Sequence, residues 1–139
     1  MNLSHVTKKG TRHNGRDILR YGSLMYANNG ALCWSWSEPE LSHGAVVARN
    51  DKSRIVGILK YKICLRRFSS LGTHVARGYT RQGIAMALWA RALRDLKPTR
   101  VTCCIVSDRG RTLIEAVQIA NPGFNFNVVE HGRRKTRIL

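Results

Sequence analysis

The sequence predicts an α+β domain built around a mixed sheet, and three observations support this. Apolar and polar residues alternate over 59–65, which is typical of a strand, whereas apolar residues recur at helical spacing over 83–96. The predicted elements follow the order strands, helix, strand, helix, strand. At 139 residues without an internal repeat, the chain is expected to form one domain, spanning 1–139, with a substantial core.

The N-terminal part predicts an arm and one helix. About the first 14 residues are polar and basic without periodicity, so we expect a mobile arm. Over 17–28 four apolar side chains share one helical face, and Asn29 with Gly30 predicts the end of that helix. Trp34 and Trp36 follow and are interpreted as core residues.

The middle of the chain predicts antiparallel strands. Segments 45–49 and 55–65 read as a hairpin joined by the polar turn 50–53, and 66–70 is predicted as the next turn. The segment 71–76 is then expected to be a strand that leads into a glycine-containing loop.

The second half predicts alternating helices and strands. The helix 83–96 carries one apolar face and ends at Lys97 and Pro98. The apolar run 101–106 predicts a strand covered on both faces. A helix over 112–120 and an outer strand over 124–130 follow, before a basic tail over 131–139.

The loop before the long helix predicts an anion site made from backbone. The first N–H groups of a helix have no intrahelical partner and lie at the positive end of its dipole. Gly83 has no Cβ, so a phosphate can approach the chain closely, and Arg77 and Arg81 add positive charge nearby.

These residues resemble the pyrophosphate loop of the GNAT superfamily of acyl-CoA-dependent N-acetyltransferases, which reads Val-x-Pro-x-Tyr-Arg-x-x-Gly-x-Gly/Ala. Val75, Tyr79, Gly83 and Ala85 match that pattern in register, while Arg77 replaces the proline and Thr80 the arginine. The resemblance covers about residues 45–130 and extends to a Gly-Phe pair at Gly123. It implies a mixed, mostly antiparallel central sheet flanked by helices, with acetyl-CoA as the cosubstrate.

The resemblance also implies which residues hold acetyl-CoA. The cofactor-binding positions that the register of the family's loop implies are Val75, Arg77, Thr80, Arg81, Gln82, Gly83, Ile84 and Ala85. In the family the strand before the loop diverges from the following strand, and its backbone N–H groups bond the thioester carbonyl and the pantetheine arm. The tryptophan segment walls the acceptor cleft in the family, an alternative to the core interpretation.

Two residues are candidates for catalysis. His74 lies at the implied acyl end and has an ordinary pKa near neutrality, so it could accept a proton from an amine; a position outside the cleft is the alternative. Ser107 follows the buried strand, where the family often has a hydrogen-bonding residue for the pantetheine arm. The tyrosine that usually acts as general acid is replaced by Ile119.

The charge balance predicts an anionic macromolecular partner. With 24 Lys and Arg against 8 Asp and Glu, the net charge is +16, more than one cofactor neutralises. Nucleic acid or an acidic protein fits this charge, and Arg133, Arg134 and Lys135 are candidate contacts. A merely solvated basic surface is the alternative. A small cationic acceptor is disfavoured, because it prefers an acidic cleft.

The remaining composition favours a cytoplasmic protein, as a monomer or homodimer. Cys33, Cys64, Cys103 and Cys104 lack metal or redox spacing and are expected to be reduced and mostly buried. The five histidines show no ligand pairing, so no metal site is predicted. No membrane helix is expected, since no apolar run approaches about 20 residues.

Two functions therefore remain in competition. The first is an acetyl-CoA-dependent N-acetyltransferase acting on an amine of a polyanionic or acidic macromolecule. The second is a GNAT-like module with weakened catalysis that binds nucleic acid or an acidic partner.

Overall fold

The computed structural model describes residues 2–7 and 42–130. They form one six-stranded sheet in which the spatial order of the strands is their order in the chain. The strands are β1 (Asn2–Thr7), β2 (Ser42–Arg49), β3 (Ile55–Cys64), β4 (Arg67–Val75), β5 (Arg100–Ile105) and β6 (Phe126–Glu130). Helix α1 (Ile84–Leu96) connects β4 to β5, and helix α2 (Asp108–Ala120) connects β5 to β6.

The sheet is mixed. The three pairings among β1, β2, β3 and β4 are antiparallel, whereas β4 with β5 and β5 with β6 pair in parallel. Parallel neighbours need a crossover, and α1 and α2 provide it. The predicted α+β class with a mostly antiparallel sheet is confirmed.

The core lies between the sheet and the apolar face of α1. Leu88, Trp89, Ala92 and Leu93 on α1 are fully buried, in agreement with the predicted helical face. The ring of Phe68 contacts Tyr61 at a centroid distance of 5.1 Å and Trp89 at 5.6 Å. Burying side chains of this size stabilises the fold by roughly 1.5–3 kcal/mol each.

Burial of β5 differs from the prediction. Val101, Cys103 and Ile105 are buried, but Cys104 is exposed and Val106 is 71% exposed. Within the described part of the chain, the strand is therefore covered on one face only, whereas its apolar run, interrupted by Thr102 alone, had suggested two. Cys64 is also exposed, so the prediction that the cysteines are mostly buried is wrong for the described ones, which are free thiols.

Residues 2–7 are an edge strand, although the sequence analysis placed them in a mobile arm. β1 pairs with β2 along its length, and its polar residues suit an edge. Two further contacts attach it to α1: Arg91 Nη1 donates to the carbonyl of Leu3 at 3.2 Å, and His5 Nε2 lies 2.8 Å from Asp95 Oδ2.

Two element boundaries were also misplaced. The β3–β4 turn comprises only Leu65 and Arg66, both left-handed, so Arg67 and the residues after it belong to β4. Helix α2 begins at Asp108, four residues before the predicted start, because Ser107 caps it. The predicted helix over 17–28, Trp34, Trp36 and the basic tail lie outside the described residues.

Candidate functional site

A wedge opens between the C-terminal halves of β4 and β5. The two strands pair at three positions only, Arg67 with Arg100, Phe68 with Val101 and Ser69 with Thr102. Beyond these pairs, both strands continue without pairing to each other. We call the space between residues 70–75 and 103–106 the β4–β5 wedge. The divergence that the family resemblance implied is present.

A β-bulge lies where the wedge begins. Ser70 pairs with Tyr61 and Gly72 with Lys60, which leaves Leu71 without a partner on β3. Gly72 has a φ of 131°, a backbone conformation that favours glycine. Because a bulge bends its strand, β4 turns away from β5 here.

The backbone of β4 presents hydrogen-bonding groups to the wedge. The N–H of Ala76 donates to the carbonyl of Val56 at 2.8 Å, so β4 still faces β3 at this residue. The backbone groups of successive residues in a strand point alternately to its two neighbours. The backbone N–H of His74 therefore also points toward β3, while those of Thr73 and Val75 point toward β5. The N–H of Val75 therefore faces the wedge, whereas that of His74 faces β3.

The loop from Ala76 to Gly83 is held in place by its own hydrogen bonds. The N–H of Tyr79 donates to the carbonyl of Ala76 at 2.9 Å, and Gln82 Nε2 donates to the carbonyl of Gly78 at 3.3 Å. Asn50 Nδ2 donates to the hydroxyl of Tyr79 at 3.1 Å, which connects the loop to the β2–β3 turn. The loop is therefore preformed.

The loop delivers an uncapped helix N-terminus at the mouth of the wedge. Gly83 is the N-cap residue of α1, with a φ of 77°, no side-chain cap and no acidic residue in the first turn. The helical ladder starts with the N–H of Ala87 donating to the carbonyl of Gly83, so the amides of residues 84–86 have no intrahelical partner.

This helix end fits an anion such as a pyrophosphate. A Cβ added to Gly83 would meet nothing within 4 Å, so the space beside the N-cap is open. Arg77, Thr80, Arg81 and Gln82 are exposed around it, whereas Ile84 is buried and Ala85 half-buried. The donors at this end are therefore chiefly the backbone amides.

His74 lies on the face of the sheet opposite α1. Its neighbour Thr73 is on the α1 side, where Thr73 Oγ1 accepts a hydrogen bond from Trp89 Nε1 at 3.1 Å. The imidazole is partly exposed, and desolvation followed by the charge of Lys60 lowers the pKa of His74 below 6.5. At pH 7 this imidazole is neutral and can accept a proton.

Ser107 has a structural role at the end of β5. Its Oγ accepts a hydrogen bond from the N–H of Gly110 at 3.1 Å, which caps α2. The hydroxyl proton is still available for donation. A bond from Ser107 to a pantetheine arm therefore remains a prediction.

The described tyrosines do not occupy the position of a general acid. Tyr61 is 3% exposed, and burial, then Asp95, raises its pKa. Tyr79 is bonded to Asn50 in the loop. Ile119 is 81% exposed on α2, and Arg133, Arg134 and Lys135 lie outside the described residues.

The bulge that opens the wedge was missed by the sequence analysis. A glycine inside a strand pattern often marks a bulge, and Gly72 was that signal. Among the described residues, no group of three or more potential metal ligands is present. No helix in this described part is long and apolar enough to span a membrane.

No family model matches the sequence, and no curated protein matches it. Three solved structures similar to the chain are N-acetyltransferases. The chain is 17% identical to nourseothricin acetyltransferase, covering 47% of this chain and 40% of that one with a TM-score of 0.35. It is 14% identical to the ribosomal-protein-S18-alanine N-acetyltransferase from Escherichia coli, with coverages of 69% and 59% and a TM-score of 0.41.

The third similar structure is an aminoglycoside antibiotic 6'-N-acetyltransferase from Acinetobacter haemolyticus, 17% identical, with coverages of 90% and 91% and a TM-score of 0.48. The chain spans less than two thirds of the length of the first two proteins.

Proposed function

We propose that this protein is an acetyl-CoA-dependent N-acetyltransferase. The observation that carries the proposal is the β4–β5 wedge, which has backbone donors on one wall and an uncapped helix N-terminus at its mouth. Acetyl-CoA is a long molecule with a thioester at one end and a pyrophosphate farther along. A narrow wedge with two separate groups of donors suits that shape.

The proposed roles of the loop follow from its exposed groups. The amides from Arg81 to Ala85 bind the pyrophosphate, and the side chains of Arg77 and Arg81 add charge. Thr80 contributes its hydroxyl, while Gln82 stiffens the loop through Gly78. The backbone N–H of Val75 donates to the thioester oxygen, and Ser107 donates to the pantetheine arm.

In the proposed transfer, the amine nitrogen attacks the thioester carbon of acetyl-CoA, the carbon–sulfur bond breaks, and CoA leaves as a thiolate that takes its proton from solvent. His74 accepts the proton of the attacking amine, directly or through water, because its lowered pKa keeps the imidazole neutral. Since His74 lies on the sheet face opposite α1, the acceptor approaches from that face. Holding the amine and thioester in line supplies much of the rate enhancement, which suits a site without a tyrosine acid.

The acceptor we propose is an amine carried by a polyanionic or acidic macromolecule. The net charge of +16 supports this choice, because long-range attraction concentrates an anionic substrate near the protein. A small polycationic acceptor would be repelled by the same charge.

The second candidate is a module that binds acyl-CoA but turns over weakly. The exposed Ile119, which stands where the family has its tyrosine, favours it. Calorimetric titration with acetyl-CoA and with CoA, followed by acetyl transfer to amine-bearing RNA or protein, separates the two. Binding without transfer supports the module, and absence of binding contradicts both.

A substitution at His74 tests the base. We expect His74→Ala to lower kcat by about 100-fold while acetyl-CoA affinity stays close to that of the parent. In the parent, activity should fall as the pH drops through a value below 6.5, because protonated imidazole cannot accept the amine proton. That acid limb should disappear in His74→Ala.

A substitution at Lys60 provides the matching control. The positive charge of Lys60 lowers the pKa of His74, so Lys60→Ala should move the acid limb to higher pH. An unchanged limb in both variants would show that His74 is not the base.

A further inference from the structure

A cluster of cations lies at the other end of the wedge, where β4 and β5 are still paired. Arg66, Arg67, Lys97 and Arg100 are all exposed, and we call these four residues the basic end. Arg67 and Arg100 are direct partners in the parallel ladder. Like charges directly opposite each other on neighbouring strands destabilise a sheet, and a bound anion would relieve that repulsion.

The basic end has no acidic side chain in its two segments, 65–67 and 97–100. Asp95 is the nearest acidic residue in sequence. Its carboxylate oxygens lie 2.6 Å from Arg91 Nε, 3.0 Å from Arg94 Nε and 2.8 Å from His5 Nε2. Its charge is therefore already balanced. The four cations keep their positive potential.

Hydrogen bonds hold the two segments of the basic end together. Arg66 Nη2 donates to the carbonyl of Lys97 at 2.7 Å. The carbonyl of Arg66 accepts from the N–H of Thr99 at 2.8 Å and from Thr99 Oγ1 at 3.2 Å. The cations are thus held close together before any partner binds.

The backbone at the basic end is strained. Among the described residues, five that are not glycine have a positive φ, and three of them are Leu65 (52°), Arg66 (64°) and Lys97 (44°). Hairpin turns of this kind and helix C-termini usually place glycine or asparagine at such positions. Long side chains therefore stand where the backbone alone would favour smaller ones.

This cluster is separate from the proposed acetyl-CoA site. Arg67 and Val75 stand at opposite ends of β4, eight residues apart, which corresponds to about 26 Å. One acetyl-CoA held at the open end of the wedge leaves the basic end free. The cations there need a different anion.

We propose that the basic end is a docking surface for the phosphate backbone of a nucleic acid. Three of its four cations are arginines, whose forked guanidinium groups suit phosphate oxygens. The segments contain no aromatic residue to stack on bases, and one exposed apolar side chain, Leu65, is too little for a protein interface core. The expected binding is independent of sequence and strongly salt-dependent, and it does not rest on acetyl transfer.

The test compares two variants that each lose two charges. Arg67→Ala with Arg100→Ala changes the basic end, whereas Lys52→Ala with Arg54→Ala removes exposed charges from the β2–β3 turn at the opposite end. Binding of an RNA duplex of about 20 base pairs is measured by fluorescence anisotropy at salt concentrations between roughly 50 and 200 mM. The first variant should lose about tenfold in affinity and flatten the slope of log K against log salt by about 2, and the control should stay near the parent.

A stabilising variant guards against misfolding as the cause. Leu65→Asn with Arg66→Gly installs an Asn-Gly turn, whose two residues favour the left-handed backbone conformation, so thermal stability should be kept or rise. Its affinity for the duplex should nevertheless fall, with the slope flattened by about 1. Unchanged affinity in this variant would contradict a role for Arg66.

Two results would overturn the proposal. Equal losses in the basic-end variant and in the β2–β3 control would show diffuse attraction by net charge. Equally tight binding of polyglutamate, with the same sensitivity to Arg67 and Arg100, would show an acidic protein surface as the partner. Acetyl-CoA titrations of the same variants should match the parent, so failure here is distinguishable from failure of the proposed enzyme.

Discussion

Helices α1 and α2 have the same length, thirteen residues each, but begin in opposite ways. Helix α2 is capped by its own sequence: Ser107 accepts from the N–H of Gly110, and Asp108 places a negative charge in the first turn. Helix α1 starts at Gly83 with neither a side-chain cap nor an acidic residue.

This difference separates a structural helix end from a binding one. A side-chain N-cap contributes about 1 kcal/mol relative to alanine but only a few tenths relative to glycine, so Gly83 leaves the first amides of α1 open at small cost. An anion placed at these amides would satisfy them. The stability of α1 should therefore depend on acetyl-CoA, since a ligand that binds only the folded protein stabilises it.

The largest effect is expected at the beginning of α1. Gly83→Val should weaken acetyl-CoA binding by at least about 100-fold, because the side chain would fill the open space beside the amides and strain a φ of 77°. Calorimetric titration measures the loss.

Gly78→Val is the matched control for that substitution. Gly78 also has a positive φ, 94°, and its added Cβ would also meet nothing within 4 Å, but it lies six residues before Ile84, the first residue of α1. Strain is thus similar in both variants, and Gly78→Val should bind acetyl-CoA much more tightly than Gly83→Val. Equal affinities of the two variants for acetyl-CoA would contradict the assignment of the N-terminus of α1 as the pyrophosphate site.

A smaller effect is expected at the cap of α2. Ser107→Ala should lower the free energy of unfolding by about 1 kcal/mol, because the N–H of Gly110 loses its acceptor. Urea denaturation measures the change. Ser107→Asp keeps an acceptor for the cap but removes the hydroxyl proton, so it should restore stability while acetyl-CoA affinity stays reduced. Full affinity in Ser107→Asp would limit Ser107 to capping.

The smallest effect is expected at Asp108. Asp108→Asn removes the negative charge from the first turn of α2 and should destabilise the protein by about 0.3–1 kcal/mol. The loss should shrink when urea denaturation is repeated in high salt, since salt screens an exposed charge. A loss that salt leaves unchanged would mean that Asp108 acts through packing.

The sequence was most informative where pattern and chemistry coincide. The end of α1 at Leu96 and its buried face followed from helical spacing and from the Lys97–Pro98 stop, and the structure confirms both. The β3–β4 turn was misplaced because Leu65 and Arg66 adopt left-handed conformations, although neither is the glycine or asparagine that usually marks such a turn in a sequence. The start of α2 was missed because the cap at Ser107 precedes the first apolar residue of the helix.

The candidate site was predictable only in part. The loop and its glycine could be identified from local sequence, since a helix N-terminus is a local structure. The wedge depends on where β5 stops pairing with β4, which is a relation between distant segments that no single stretch of sequence contains. Likewise, the exposure of Cys104 and Val106 depends on which face of the sheet another element covers.

The sheet order has a consequence for how the molecule unfolds. Because each strand pairs only with its neighbours in the chain, β1 to β4 form one antiparallel unit, and β5, α2 and β6 form another. Backbone pairing joins the two units at three positions. The seam is a natural boundary between two cooperative units, so native-state hydrogen exchange should show the β5–β6 amides opening together while those shared by β2 and β3 stay protected.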